Sequence, residues 1–251
     1  MKKNHFDKDT EIKVAGINAV KVAFLKRPDD IIKLYLTKSN LKQFSDLVRF
    51  CSQNKKAYHV VENEELEKVG ATNHHEGVVL VMKKKSAITL AEFLKSNNKN
   101  QSSVLLALEN VSNPHNVGAI MRSAAHFGVK GMIVNAKEVA QTSSAYRTAE
   151  GGAEALSLIE VKNFVQGLEE LKKNGYELIA TSSHAKENLF QMKLPSKLII
   201  VMGEERHGLS KEVQKLCQKT ISIPGSGAVE SLNVSVATAI ILAEYWSQNQ
   251  K

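Results

Sequence analysis

The chain is poor in the residues that staple small folds together. Only two cysteines occur in its 251 residues, Cys51 and Cys217, one in each half. Neither has a partner at metal-ligand or redox-motif spacing, so both read as free thiols and no metal site is expected. Long hydrophobic runs are also missing. The most apolar helical stretch, Val236 to Ala243, is flanked by Ser235 and Glu244 and interrupted by Thr238. It is too short to span a bilayer. The N-terminal segment MKKNHFDKDTEIK is charged and lacks the apolar core of a secretory signal. The expectation is a cytoplasmic protein with no membrane association. No G-x-G-x-x-G follows an early strand and no P-loop appears, which removes the usual support for a dinucleotide oxidoreductase.

What the chain does have is positive charge, and it is unevenly placed. The net formal charge is +8, with 34 Lys and Arg against 26 Asp and Glu. Residues 1–100 hold 19 of the cations and 12 of the anions, a net of +7, and the remainder is left with +1. Clusters such as Lys26-Arg27, Lys55-Lys56 and Lys83-Lys84-Lys85 carry this excess. A phosphate-binding surface needs such an excess, because each neutralised phosphate releases counterions. A solvated basic surface kept for solubility is the plainer alternative.

The length suits one large or two ordinary domains. A first unit, residues 1–85, alternates element types: a helix from Ile17, a strand at Ile32–Leu36, a helix at Leu41–Gln53, a strand at Ala57–Val61, a short helix at Glu64–Val69 and a strand at Gly77–Met82. This predicts a small α/β layered domain. Residues 86–102, ending in the polar run SNNKNQ, read as a linker. A second unit, residues 103–251, begins with the continuous apolar run Val104–Leu108, as expected of a buried parallel strand. Similar runs recur at Met132–Val134, Leu178–Thr181, Leu198–Met202 and Ile221–Ile223, with helical patterns between most of them. Strand and helix in series predict a parallel sheet covered on both faces, with ligands at the carboxyl ends of its strands.

Three segments after such strands are too polar and glycine-rich to be mere connectors. In Glu109–Arg122, the Asn113-Pro114 pair forces an extended or turning backbone, and Asn116 is placed to cap the helix that follows. Gly118-Ala119 leaves its first turn bare, and Arg122 falls on its polar side. In Val201–Leu209, a strand ending at Met202 runs into Gly203, two carboxylates (Glu204, Glu205) and Gly208. Gly203 permits close approach of main chain to a flat ligand. The adjacent carboxylates diverge too much for a glycosidase acid/base pair, and His207 lacks a companion at metal-ligand spacing. In Ile223–Ala237, a loop of small residues enters a helix apolar on nearly all sides, hence expected to be buried. Ser231 and Asn233 can cap it or hold a ligand. Each segment also has an ordinary reading as a capped helix or a charged turn.

Together, in this order, the three segments resemble the motifs of the SpoU (TrmH-like) family of S-adenosyl-L-methionine-dependent RNA 2′-O-ribose methyltransferases, over residues 103–251. The resemblance implies a SPOUT-type parallel α/β domain with a trefoil knot, and a homodimer with its active site near the subunit interface. It implies that Met202, Gly203, Ile223 and Leu232 contact the cofactor. Around the reacting ribose it implies Asn116, Arg122, Glu205, Ser231 and Asn233 as catalytic. The family's motif arginine is often described as the general base. An arginine's pKa lies so far above neutrality that Arg122 could instead bind phosphate and stabilise a developing alkoxide. Two departures bear on substrate fit: Thr148–Ala153 (TAEGGA) where relatives carry a small residue before Gly-Ala, and no large apolar residue after Pro224.

Tyr58–Val61 and His74–Val78 resemble the substrate-recognition domain preceding many such enzymes. Read alone, His74-His75 is a turn. The implied function is 2′-O-methylation of a structured RNA, rRNA or tRNA. The alternative from another class is a non-catalytic RNA-binding or ribosome-assembly factor, against which the joint presence of Asn116, Arg122, Glu205 and Asn233 argues.

Overall fold

The computed structural model describes residues 6–97, 102–135, 137–204 and 206–249. The N-terminal unit runs β1 (Glu11–Ala15), α1 (Ile17–Lys26), β2 (Ile31–Leu36), α2 (Ser45–Gln53), β3 (Ala57–Val60), α3 (Asn63–Gly70) and β4 (Val78–Lys83). Its four strands lie in the order β1-β4-β2-β3. Strand β4 is antiparallel to both neighbours and β2 is parallel to β3. The sequence pattern located every element here except β1. The His74-His75 segment is a structural turn: His75 is buried, and its Nδ1 accepts the Gly77 N–H at 3.0 Å. Glu76 Oε2 accepts the Ile17 N–H at 2.6 Å and so anchors the start of α1.

The second unit opens with β5 (Ile88–Thr89), α4 (Leu90–Asn97), β6 (Ser103–Leu108) and α5 (Pro114–His126). Next come β7 (Gly131–Val134), α6 (Lys137–Ala140), α7 (Ser143–Ala149), α8 (Gly152–Ala155), β8 (Ser157–Glu160), α9 (Phe164–Lys173) and β9 (Glu177–Thr181). The chain ends with β10 (Glu187–Asn188), β11 (Lys197–Met202), α10 (Lys211–Leu216), β12 (Lys219–Ser222) and α11 (Val234–Asn249). All eight strands form one parallel sheet in the order β10-β12-β9-β11-β6-β7-β8-β5.

Every residue of β6 is buried, because the pleat sends its side chains alternately into two cores. Val104, Leu106 and Leu108 join Leu198, Ile200 and Met202 on the face covered by α5 and α11. Leu105 and Ala107 join Ile199 and Val201 on the face covered by α4, α9 and α10. From β6 the chain steps outward to β7 and β8, then returns by β9 and β11 on the other side of β6. That reversal puts a topological switch point between β6 and β11, where an open sheet leaves a crevice at its carboxyl edge.

The reading of residues 86–102 as a linker is corrected. Ile88 and Thr89 pair in register with Ile159 and Glu160 of β8, so β5 is the edge of the large sheet. The Phe93 side chain of α4 is fully buried beneath it. The Asn-rich part of that stretch, residues 98–101, lies outside the described residues.

The two units share one hydrophobic cluster, in which Ile12, Val20 and Ala23 pack with Met121, Tyr146 and Ala153. Arg27 grips Glu154 through Nε at 2.7 Å and Nη2 at 2.9 Å, with side-chain exposures of only 13% and 1%. Burial opposes the Arg27 charge, but hydrogen bonds and the charge of Glu154 outweigh it and raise the guanidinium pKa. Breaking such a pair strands a buried charge, at a cost of about 3–5 kcal/mol. Lys85 Nζ donates to the carbonyls of Ala153, Glu154 and Leu156, closing the end of α8 from the other unit.

Candidate active site

At the carboxyl end of β6 the chain turns through Glu109 and Asn110. Asn110 adopts φ +56° and exchanges hydrogen bonds with Asn135 beyond β7, at 2.8 Å and 2.7 Å. Glu109 is buried and accepts from the Ser210 N–H at 2.8 Å and the Ser210 hydroxyl at 2.7 Å. This fastens the loop after β6 to the start of α10. Asn113, not Asn116, caps α5: its Oδ1 accepts the His115 N–H at 2.9 Å and Pro114 takes the first helical position. Proline fits there because its missing N–H would have had no helical partner. That corrects the expected cap by three positions. Asn116 instead accepts a hydrogen bond from Asn233 Nδ2 at 3.1 Å.

The bare Gly118-Ala119 stretch of α5 is explained by a neighbouring backbone. A Cβ on Gly118 would stand 2.5 Å from the Ala145 carbonyl oxygen of α7. One on Gly152 would stand 2.8 Å from the Met121 oxygen and 2.9 Å from the Arg122 Cα. Helix α5 is therefore held at van der Waals distance by α7 and α8 around Arg122. The Arg122 guanidinium pairs with Glu150 Oε1 at 2.7 Å. Glu150, at φ +45°, also accepts from Asn18 Nδ2 of the N-terminal unit at 3.3 Å. Arg122 is 59% exposed at the side chain, so this pair contributes little stability. Its effect is to orient the guanidinium.

After β11 the chain closes on itself. A Cβ on Gly203 would run into the Gly208 carbonyl, so the close approach expected of Gly203 is made by the protein's own main chain. Glu204 and Gly208 bridge, Gly208 N–H donates to the Glu204 oxygen at 3.0 Å, and Gly208 sits at φ +67°. His207 Nδ1 meets Glu204 Oε1 at 2.5 Å. Glu205 lies outside the described residues. Met202 is buried, its sulfur taking the Thr181 hydroxyl at 3.5 Å.

After β12, Ile223 is half-buried against the core, and the loop from Pro224 to Asn233 is exposed. Ser231 and Leu232 stand in it, Leu232 at 43% exposure. Asn233 caps α11, its Oδ1 accepting from the Ser235 N–H at 2.9 Å and the Ser235 hydroxyl at 2.6 Å. Helix α11 is not buried all round: Val234, Thr238, Ile241 and Leu242 face the core, while Val236 (47%) and Trp246 (43%) are exposed.

The structure thus joins Asn116 and Asn233, from segments 117 residues apart, where the N-termini of α5 and α11 meet. Two helix N-termini and two amides make a positive, hydrogen-bonding corner suited to oxygen ligands and developing negative charge. Arg122 lies six residues further along α5, held by Glu150 rather than by either asparagine. Ser231 stands in the exposed loop just ahead of Asn233. Sequence reasoning named Glu150 only within an atypical segment and missed its pairing with Arg122, since α7 and α8 were not foreseen. Among the described residues no group of three His, Cys, Asp or Glu could hold a metal ion, and no helix is long and apolar enough to cross a membrane.

Comparison with known proteins adds to this geometry. Residues 103–243 match the family described as the SpoU rRNA Methylase family, and residues 13–87 match the one described as RNA 2′-O ribose methyltransferase substrate binding. An uncharacterized tRNA/rRNA methyltransferase of Escherichia coli O157:H7, YfiF, is 40% identical over 96% of this chain and 69% of its own length. The 23S rRNA (guanosine-2′-O-)-methyltransferase RlmB of Shewanella oneidensis is 32% identical over 92% of this chain and 95% of its own. The crystal structure of the SpoU methyltransferase AviRb from Streptomyces viridochromogenes, in complex with AdoMet, superposes with a TM-score of 0.78 at 21% identity. It covers 98% of this chain and 93% of that one, a likeness of fold.

Proposed function

Since the chain belongs to the SpoU rRNA methylase family, and is an enzyme of S-adenosyl-L-methionine-dependent 2′-O-methylation of rRNA or tRNA, we propose that it holds the reacting ribose at the Asn116–Asn233 corner. The hydrogen bond between those two residues is the observation that carries this assignment. It unites two of the three motif segments beside the switch point of the sheet.

The residues present fit the cofactor. Ile223 and Leu232 offer apolar surface for an adenine, and the exposed main chain of the loop from Pro224 to Leu232 offers hydrogen-bonding groups at its edge. When bound, S-adenosyl-L-methionine supplies an electrophilic methyl on a sulfonium. The protein's own residues do the rest. Asn116, Asn233 and Ser231 orient the ribose hydroxyl for in-line attack, which is a large part of catalysis for such a transfer. Arg122, steered by Glu150, binds the neighbouring phosphate and stabilises the alkoxide as the hydroxyl gives its proton to solvent water. Glu205 belongs to the same ribose site by its place in the motif.

Residues 1–85 grip the RNA and residues 103–251 methylate it, a division supported by the +7 and +1 charge split. The target is a large structured RNA of the ribosomal kind, with tRNA as the alternative. The working state is a cytoplasmic homodimer in which a second copy covers Leu232, Val236 and Trp246, all exposed in the single chain.

Arg122→Ala tests the site assignment. Methyl transfer to RNA should fall by about 10²–10³-fold or more, the cost of deleting one charge-stabilising donor. S-adenosylmethionine affinity, measured by calorimetry, should change little. Turnover near the parent value would sink the assignment.

A further inference from the structure

A cleft of about 590 Å³ lies where β1 meets α7 and the first turn of α5, the two joined by the Lys13 N–H donating to the Ser143 hydroxyl at 3.2 Å. It has the size of a small-ligand site and is open to solvent. Lys8, Lys13 and Lys84 line it from the N-terminal unit and Arg147 lines it from α7. His115 stands at its end next to Asn116, with Nδ1 3.4 Å from the Thr148 hydroxyl and Nε2 3.5 Å from that of Ser144. Glu11 is the one carboxylate in the lining, and it is engaged by the Asp7 N–H at 3.3 Å.

The four cations make no ion pair among the described residues, whereas Arg27 and Arg122 are each matched to a carboxylate. Lys13, Lys84 and Arg147 are also half-buried. Burial, and then the charge of Lys8, push the Lys13 pKa down. Its ammonium lies 4.6 Å from the centre of the Phe6 ring, a contact that only partly replaces lost water. Lys8, Lys13, Lys84 and Arg147 outnumber the Glu11 carboxylate and the nearby Asp7, whose charge acts on Lys84, and an anion entering the cleft offsets the excess.

The walls of the cleft are also tied together. The Arg27–Glu154 pair and the Lys85 cap fix the two units on either side of it. Gly151, at φ +92°, packs directly on Val22 of α1. A preformed groove loses little on binding.

We infer that this cleft is a binding site for the RNA phosphodiester backbone. It takes the strand that flanks the target nucleotide and leads it past His115 to the Asn116–Asn233 corner. Both units then contact one strand at once, with Arg147 on the methyltransferase side and Lys13 and Lys84 on the other. The inference deepens the proposed function and rests on its placing of the ribose, but the binding it claims can be read without any methyl transfer.

The test is fluorescence anisotropy of a fluorescein-labelled single-stranded RNA 12-mer of mixed sequence, titrated with the full-length protein over a range of salt. Lys84→Ala/Arg147→Ala removes one cation from each wall. The slope of log affinity against log salt should shrink by about one to two, and low-salt affinity should drop about tenfold or more. Arg147→Lys should keep the parent slope. Lys211→Ala/Lys215→Ala, which removes two cations from α10 outside the cleft, should also leave it unchanged. A parent slope in the cleft variant, or an equal loss in the α10 variant, would overturn the inference. If the double variant unfolds, Lys8→Glu at an exposed position gives the same reading. Loss of RNA binding in the cleft variants beside an Arg122→Ala protein that still methylates would retain the cleft and reject the ribose assignment.

Discussion

At the scale of single residues, burial and partners decide what each polar group does. Asn116, Arg122 and Asn233 stand at solvent-facing positions of α5 and at the start of α11, where a side chain can meet a ligand. Tyr146 stands on the other side of that division, 5% exposed beside the Arg27–Glu154 pair. Burial, and next the negative charge of Glu154, raise its phenol above the ordinary value of 10. The folded protein therefore keeps a proton that the unfolded chain releases near pH 10. The resulting stabilisation is complete below pH 10 and is lost as pH rises toward the folded-state value. The melting temperature should fall above pH 10, and Tyr146→Phe should flatten that fall. An equally steep fall in the variant would contradict the assignment. Asn116, Arg122 and Asn233 stand at motif spacings that the sequence itself displays. The Glu150 contact was not legible there, because it joins positions 28 apart through a left-handed turn that no local pattern announces.

At the scale of elements, glycines set the distances between helices. Alanine at position 152 would bring a methyl to 2.8 Å from the Met121 oxygen and 2.9 Å from the Arg122 Cα, and neither backbone atom can swing aside. Gly152→Ala should destabilise the fold by about 1–3 kcal/mol, the usual cost of overpacking. By shifting α5 it should also lower kcat while leaving cofactor affinity intact. Chemical denaturation with steady-state kinetics checks both, and an unchanged kcat would separate α8 packing from catalysis. Apolar runs announced β6, β9 and β11 because strands buried on both faces leave little other reading. Strand β5 and helix α4 escaped notice for the opposite reason. Two paired residues and one buried phenylalanine leave a faint pattern beside a polar tail, and only the pairing with β8 reveals them. The cap of α5 was misplaced since Asn113 and Asn116 are both good caps, and Pro114 decides between them only if it is taken as the first helical residue.

At the scale of the whole molecule, the charge partition visible in the sequence meets a docking that was not visible. The basic N-terminal unit is fastened to the large sheet through a shared core and through Arg27 and Lys85, which sets the position of its cations relative to the Asn116–Asn233 corner. Arg27 and Glu154 are 127 residues apart, and nothing in either local segment identifies the other. The proposed homodimer would cover the exposed apolar residues of α11 and its approach, Leu232, Val236 and Trp246. Sedimentation velocity at micromolar concentration should give a dimer, and Trp246→Glu should shift it toward monomer. A monomeric parent protein would contradict the homodimer. The most direct test of the central claim is transfer of labelled methyl from S-adenosylmethionine to unmodified rRNA, followed by nucleoside analysis. The prediction is label in a single 2′-O-methylated nucleoside, lost with Arg122→Ala. Label on a base, or label undiminished by that substitution, would contradict the account.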